Sequence, residues 1–417
     1  MTTTINNEHK KLNVPNLRFP EFQGEWEKCK LGDYGKVVTG NTPPTKDIEN
    51  YENGTYLWAS PADLGIIKSI TETKTMLSAQ GFSKTRTLPK GSVLVTCIGS
   101  TIGKAGMATK EMSTNQQINS IVVNDDNDNE FVYYAIQSAF PRYLSSIAVQ
   151  AVPIISKSAF ELLPNNRPYL QEQKKIGKFL SLLDERIAAQ NKIIEDLKKL
   201  KAAIVEKVFC SPNQEYPMCR IEGFEQALST YKMSDFSSRI ATKNKDSKCS
   251  LVLTIAAQYG LVNQESFFNK SVASENLTGY YLLHKGEFAY NRSYSAGYDW
   301  GVVKRLDNYD EGVLSTLYIC FKINETIVDS DYLAYYFESS KWHKGLSDIA
   351  GEGARNHGLL NVSMTDYFNT KHRFPVIEEQ KAIAKMLNTI AEKERKATLL
   401  GECYQKQKQY LLCQMFT

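Results

Sequence analysis

Long hydrophobic runs are missing from this 417-residue chain. None approaches the ~18 consecutive apolar residues of a membrane-spanning helix. The opening Met1-Thr-Thr-Thr-Ile-Asn-Asn-Glu-His-Lys10 has no apolar stretch of the kind a secretory signal carries. A soluble, cytoplasmic protein with no membrane partner is therefore expected. A dominant charge is missing too: 50 basic against 46 acidic side chains leave a net charge of +4. Bulk electrostatics does not announce a nucleic-acid binder, although a local patch remains open to it. The eight cysteines form no CxxC pair, and the five histidines neither cluster nor fall at zinc-finger spacing. That pattern excludes a disulfide framework and gives no reason to expect a metal site. Disorder is excluded by ordinary composition, 42% apolar and 23% charged.

Catalytic signatures are equally scarce. Gly99-Ser-Thr-Ile-Gly103-Lys104 has three residues between its glycines and Ala105 after the lysine. A phosphate loop needs four residues there, then Ser or Thr to hold magnesium. Asn41-Thr-Pro-Pro44 resembles the Asn-Pro-Pro-aromatic motif of adenine methyltransferases, but Thr is inserted and Thr45 stands where an aromatic ring should stack on a flipped base. A proline-rich turn is the better reading. No dinucleotide fingerprint, HExxH or GxSxG occurs, and no spaced carboxylates with a lysine suggest a nuclease centre. No catalytic residue is expected.

What the sequence has is itself, twice. Tyr169-Leu-Gln-Glu-Gln-Lys-Lys-Ile176 returns as Val376-Ile-Glu-Glu-Gln-Lys-Ala-Ile383, each directly after a proline, at an offset of 207 residues. Phe209 and Phe416, and Ser156 and Ser363, share that offset. Lys30-Leu-Gly-Asp-Tyr34 aligns with Lys232-Met-Ser-Asp-Phe236, and Glu130–Ser138 with Asp331–Ser339. Repetition in the same order over half the chain length marks a duplication.

Each half is a mixed block followed by a long helix. From about Gln171 to Phe209 there is no proline, and Ile176, Leu180, Leu183, Ile187, Gln190, Ile194, Leu197, Lys201, Ile204 and Val208 alternate steps of four and three. That is a heptad seam on a helix of ~58 Å. The second helix carries the seam at Ile383, Leu387, Ile390, Glu394, Ala397, Gly401, Tyr404, Lys408, Leu411 and Met415. It is weaker mid-way, so each helix is expected to pack against the other. Within the blocks, strands are expected at Ile118–Val123, Leu251–Ala256 and Thr316–Ile323, and helices at Glu130–Ala139 and Asp331–Ser340. Leu88-Pro-Lys-Gly91 and Leu283-His-Lys-Gly286 each read as a turn before a strand. The fold class is α+β: two tandem mixed blocks separated by a pair of long antiparallel coiled-coil helices. The expected boundaries are 1–25 (extension), 26–169 (first block), 170–210 (helix), 211–225 (linker), 226–376 (second block) and 377–417 (helix).

Val14-Pro-Asn-Leu-Arg-Phe-Pro-Glu-Phe-Gln-Gly-Glu-Trp26, then Lys30-Leu-Gly-Asp33, the Pro-x-x-x-Glu-Gln-Lys start of both helices, the Gly99–Lys104 loop and Gly353-Ala-Arg-Asn-His-Gly-Leu-Leu-Asn-Val362 resemble the DNA specificity subunits of type I restriction-modification systems. The resemblance covers essentially the whole chain. It implies two target-recognition domains, each reading one half of a gapped site on double-stranded DNA, with the helices as a ruler. It further implies two methyltransferase subunits docked on the helices and two motor-nuclease subunits. S-adenosylmethionine, ATP and magnesium would reside on those partners, leaving this chain without cofactor or catalysis.

Base edges are read by side-chain amides, hydroxyls and guanidinium groups, and phosphates by lysines and hydroxyls. In the first block these criteria select Ser100, Thr101 and Lys104, and Asn115, Gln116 and Gln117, whose amides suit adenine. In the second they select Asn291, Arg292, Tyr294 and Ser295, Arg355, Asn356 and His357, with Lys243, Lys245 and Lys248 as phosphate contacts. Ile176, Leu180, Leu183, Ile187, Leu197 and Ile204, with Ile383, Leu387, Ile390, Tyr404 and Leu411, are the expected seam and partner surface. A stand-alone DNA-modifying enzyme and a coiled-coil scaffold with no DNA role are the competing readings.

Overall fold

The computed structural model describes residues 12–65, 67–146, 154–245, 248–269, 276–293, 297–349, 360 and 362–416. The chain divides into two compact units whose borders cut through both long helices. The first unit runs to Asn191 and resumes at Leu399; the second is Lys192–Thr398. The helix Leu170–Val208 starts in the first unit and ends in the second, and Ile377–Gln414 does the reverse.

The duplication is visible strand by strand. The first unit holds a sheet in the order Gly35–Thr39, Ile118–Val123, Val93–Thr96, Ala105–Ala108, Ser69–Ile70. Its first four strands are antiparallel, with Val37 opposite Ile121 and Thr96 opposite Ile118. The second unit repeats that order with Ser237–Arg239, Ile319–Ile323, Phe288–Asn291 and Val302–Arg305. Before each sheet a short strand (Glu27–Lys30, Ser229–Lys232) pairs with the strand that leads into the long helix (Pro164–Arg167, Lys371–Phe374). Three sequence expectations came out long: the strand expected from Leu251 starts at Leu253, and two more are cut short by turns. The strand foreseen from Thr316 starts at Ile319, because the Ser315 carbonyl and hydroxyl accept from the Tyr318 and Leu317 amides and turn the chain. The helix foreseen to Ser340 stops at Tyr336, where the Ser339 hydroxyl donates to the Tyr336 carbonyl.

Both long helices keep their heptad face inward. All ten seam positions of each are buried or half-buried, while the residues between them are mostly exposed. Ile176, Leu180 and Leu411 join the core of the first unit; Ile383 and Leu387 join that of the second. Within the first unit the helices run antiparallel: Asp184 bonds Lys408 at 2.6 Å, and the Arg186 guanidinium lies 4.8 Å from the Tyr404 ring centre. The polar breaks in the seam are paired, Lys201 with Glu338 at 3.5 Å and Glu394 at 4.0 Å. Gly177 is demanded by close approach, since a Cβ there would stand 2.5 Å from Asp128 Oδ1 and 2.8 Å from Glu130 Cβ.

The helix ends exchange anchors. Phe416 packs against Trp26 and Phe131 of the first unit, with ring centres 6.2 and 5.4 Å away. Phe209, 207 residues earlier, packs against Tyr332 and Tyr336 of the second at 5.0 and 5.7 Å. Each block is thus completed by the far end of the other block's helix.

Candidate nucleic-acid interface

In the first unit three connections meet at one end of the main sheet. The Cys97 amide donates to the Gln117 carbonyl at 2.8 Å, joining the 97–104 loop to the 115–117 turn. The Gly40 and Asn41 amides donate to the carbonyls of Ile118 and Thr114, bringing in the 40–45 segment. The 97–104 loop is a hairpin turn closed between Thr96 and Lys104, not a phosphate cradle. Gly99 and Gly103 adopt φ of +91° and +88° there, a region that disfavours side chains. A Cβ on Gly103 would also strike the Phe140 ring at 2.5 Å. Ser100 and Lys104 are exposed and Thr101 is half-buried. The Lys104 stem lies over Gly65, where a Cβ would come within 2.9 Å of it, so its ammonium leaves from a supported stem.

The polar run Asn115-Gln-Gln117 divides by role. Asn115 is buried, its amide oxygen accepting from the Gln117 amide and its nitrogen donating to Gln117 Oε1 at 3.1 Å. These two hold the turn. Gln116 is exposed, and its amide oxygen accepts from the Thr42 hydroxyl.

Sequence reasoning missed Thr42, Lys84 and Arg86. Arg86 donates to the Thr39 carbonyl at 2.8 Å, and its own amide is held by Asn41 Oδ1. Asn41 Nδ2 in turn donates to the Lys84 carbonyl, tying this basic segment to the same sheet end. The only trace in the sequence is the pair Lys84-Thr-Arg86 ahead of a proline turn; their nearness to residues 97–117 is purely spatial.

In the second unit the corresponding sheet end starts at Asn291 and Arg292. Arg292 replaces Cys97, a buried thiol pushed up to about 12 by desolvation. The pseudo-symmetry is close: the Ile155 amide donates to the Cys97 carbonyl at 2.8 Å, and the Leu360 amide to the Arg292 carbonyl at 3.0 Å. The Arg292 guanidinium donates to the carbonyls of Val362 at 3.1 Å and Leu317 at 3.2 Å, so it braces the loop base rather than standing clear for a base edge. Asn291 Oδ1 accepts from the Ser293 amide. Lys243 donates to the Gly279 carbonyl and lies 4.0 Å from the centre of the Tyr281 ring; exposed Arg239 bonds that tyrosine's hydroxyl at 2.9 Å. Lys245 and Lys248 are exposed. Tyr294, Ser295, Arg355, Asn356 and His357 lie outside the described residues.

The seam residues are turned inward, and the exposed large apolar side chains of the helices are Phe179, Leu182, Leu399, Leu400 and Tyr410 in the first unit and Ile193 and Leu200 in the second. Among the described residues no group of three His, Cys, Asp or Glu side chains could hold a metal ion, and no helix is long and apolar enough to cross a membrane.

A family model described as the type I restriction modification DNA specificity domain matches residues 23–199. The MjaIX specificity subunit of a type I restriction enzyme from Methanocaldococcus jannaschii is 30% identical over 191 residues, 44% of each chain. The HindI specificity subunit from Haemophilus influenzae is 29% identical over 185 residues, 42% of this chain and 39% of that one. The matched stretch thus spans less than half the length of either relative. The MjaVIII specificity subunit from Methanocaldococcus jannaschii is 24% identical over 402 residues, 90% of this chain and 87% of that one. In fold, the chain is similar to the crystal structure of a type I restriction-modification S subunit from M. genitalium, with a TM-score of 0.58, 16% identity, and coverage of 97% of this chain and 99% of that chain.

Proposed function

We propose that the chain is the DNA-recognition subunit of a type I restriction-modification complex and carries no catalytic step itself; the specificity-domain match over residues 23–199 and the similarity to specificity subunits along most of the chain support this reading. Each block reads one half of a gapped, two-part site on double-stranded DNA. The helices carry the methyltransferase subunits, which bring S-adenosylmethionine, and the motor-nuclease subunits, when present, bring ATP hydrolysis and magnesium. The protein works in the cytoplasm, where its DNA is.

The observation that supports this reading best is the pair of equivalent sheet ends. A repeated scaffold with different loops suits two different half-sites served by two copies of one partner. In the first block, Lys104 and Arg86 supply positive charge, and Ser100, Thr101 and Gln116 supply groove-reading groups. With one lone pair of its amide oxygen already taken by Thr42, Gln116 is inclined to donate, which favours acceptors such as guanine N7 and O6 or thymine O4 over the paired donor and acceptor of adenine. In the second block Asn291 stands at the loop base braced by Arg292, with Tyr294, Ser295, Arg355, Asn356 and His357 as its reading groups, and Lys243 and Lys245 beside the phosphates.

The test is binding of random duplex fragments by the purified chain together with its methyltransferase partner. Affinity should fall steeply with salt, and the retained fragments should share one gapped motif. Salt-independent or absent binding would leave the scaffold reading standing, and adenine methylation by this chain alone would make it an enzyme.

A further inference from the structure

Both halves join block to helix through the same buried clasp. Glu172 and Gln173 open the first long helix, and Glu379 and Gln380 the second; all four are about 1% exposed. Burying such groups is costly unless every polar atom is satisfied, and here they are. Gln173 Nε2 donates to Asn127 Oδ1 at 3.1 Å and to the Pro168 carbonyl at 3.0 Å, while its oxygen accepts from the Asp128 amide at 3.1 Å. Gln380 Nε2 donates to the carbonyls of Ile327 at 3.1 Å and Pro375 at 2.9 Å, and its oxygen accepts from the Asp329 amide at 2.9 Å. Asp128 and Asp329 then cap the next helix of each block through the amides of Phe131 and Tyr332. Beside each glutamine a two-pronged ion pair closes the helix start from the preceding segment: Arg18 with Glu172, at 2.7 and 2.8 Å, and Arg220 with Glu379, at 2.7 and 2.9 Å.

A core that needed only stability could be apolar here, since a buried polar network earns little net energy over well-packed hydrophobic side chains. What a fully bonded glutamine supplies is direction, because its three hydrogen bonds admit one orientation of the block on its helix. Direction matters for a gapped site. Each added base pair moves a half-site by about 3.4 Å and turns it by roughly a tenth of a helical turn, so a block free to tilt would accept neighbouring gaps.

We infer that Gln173 and Gln380 are positioning residues that set which gap length the protein accepts, without choosing the bases on either side. This rests on the reading of the chain as a two-half-site recognition subunit. The test uses the assembled complex with its methyltransferase partner and a plasmid library in which the two half-sites, taken from the genomic methylation motif, are separated by gaps of varied length. Gln380→Ala should keep both half-site sequences yet raise methylation at gaps one base pair longer and shorter by about tenfold relative to the wild type. Asn127→Ala, which removes one partner of Gln173 and leaves the rest, should do the same in weaker form and decides the matter if the glutamine variants do not fold. Unchanged gap preference in an assembled variant would overturn the inference. A wild-type complex with no gapped motif would instead remove the reading on which it rests.

Discussion

Phe209→Ala and Phe416→Ala should loosen opposite units, although each phenylalanine ends a helix that begins elsewhere. Phe209 is 1% exposed among Tyr332 and Tyr336, and Phe416 is 8% exposed against Trp26 and Phe131. Truncating a buried phenylalanine costs about 3–5 kcal/mol, with Phe209 toward the top of that range and Phe416 at its lower end. Against a domain stability of roughly 5–15 kcal/mol this is a large fraction, so it should show without abolishing the fold. Native-state hydrogen exchange followed by peptide reads it directly. Phe416→Ala should speed exchange on the order of a hundredfold in the strands Gly35–Thr39 and Ile118–Val123 and leave Phe288–Asn291 and Ile319–Ile323 nearly unchanged. Phe209→Ala should give the reverse. Loosening of the second unit by Phe416→Ala, or equal loosening of both by either variant, would refute the exchange of helix ends.

Three further outcomes follow from the site and the core. Gln116→Ala should weaken binding to one half-site by about 1–3 kcal/mol, whereas Lys104→Ala should weaken all duplexes alike and flatten the salt dependence by about one ion; competition binding at several salt concentrations separates them. Arg292→Ala should lower the melting temperature of the second unit as well as its half-site affinity, because the guanidinium braces two carbonyls; unchanged melting with lost recognition would return Arg292 to the base readers. His372 is fully buried between the Tyr336 and Thr370 hydroxyls, and desolvation pushes it down to about 3. Its folded pKa lies below the unfolded one near 6.5, so the unfolded chain takes up the proton first and stability falls as pH drops from about 6.5 toward 3. At pH 5 the loss is about 2 kcal/mol. Denaturant midpoints at pH 7 and pH 5 should show that extra loss in the wild type and not in His372→Phe.

Much of this architecture is legible in the sequence. Heptad spacing is a local property of sequence, and every seam position from Ile176 to Val208 and from Ile383 to Met415 is buried or half-buried. The duplicated Glu-Gln pair and the phenylalanines at the helix ends were visible as a repeat. Their roles were not, because the partners of Gln173 include main-chain atoms at Pro168 and Asp128, and those of Phe416 lie hundreds of residues away. Asn115, Gln116 and Gln117 looked alike as letters; only the turn separates the inward Asn115 from the exposed Gln116. Arg292 looked like a reader for the same reason. Composition gives the side chain's chemistry, and the fold decides which of its hydrogen bonds are already made.

The central claim is that one chain recognises two DNA half-sites for partners that modify them. A genome-wide map of methylated adenines, made in the host with and without this gene, tests it most directly. The account predicts that deletion erases one gapped, two-part motif and leaves every other methylated motif in place. An unchanged map in cells expressing the methyltransferase partner would contradict it.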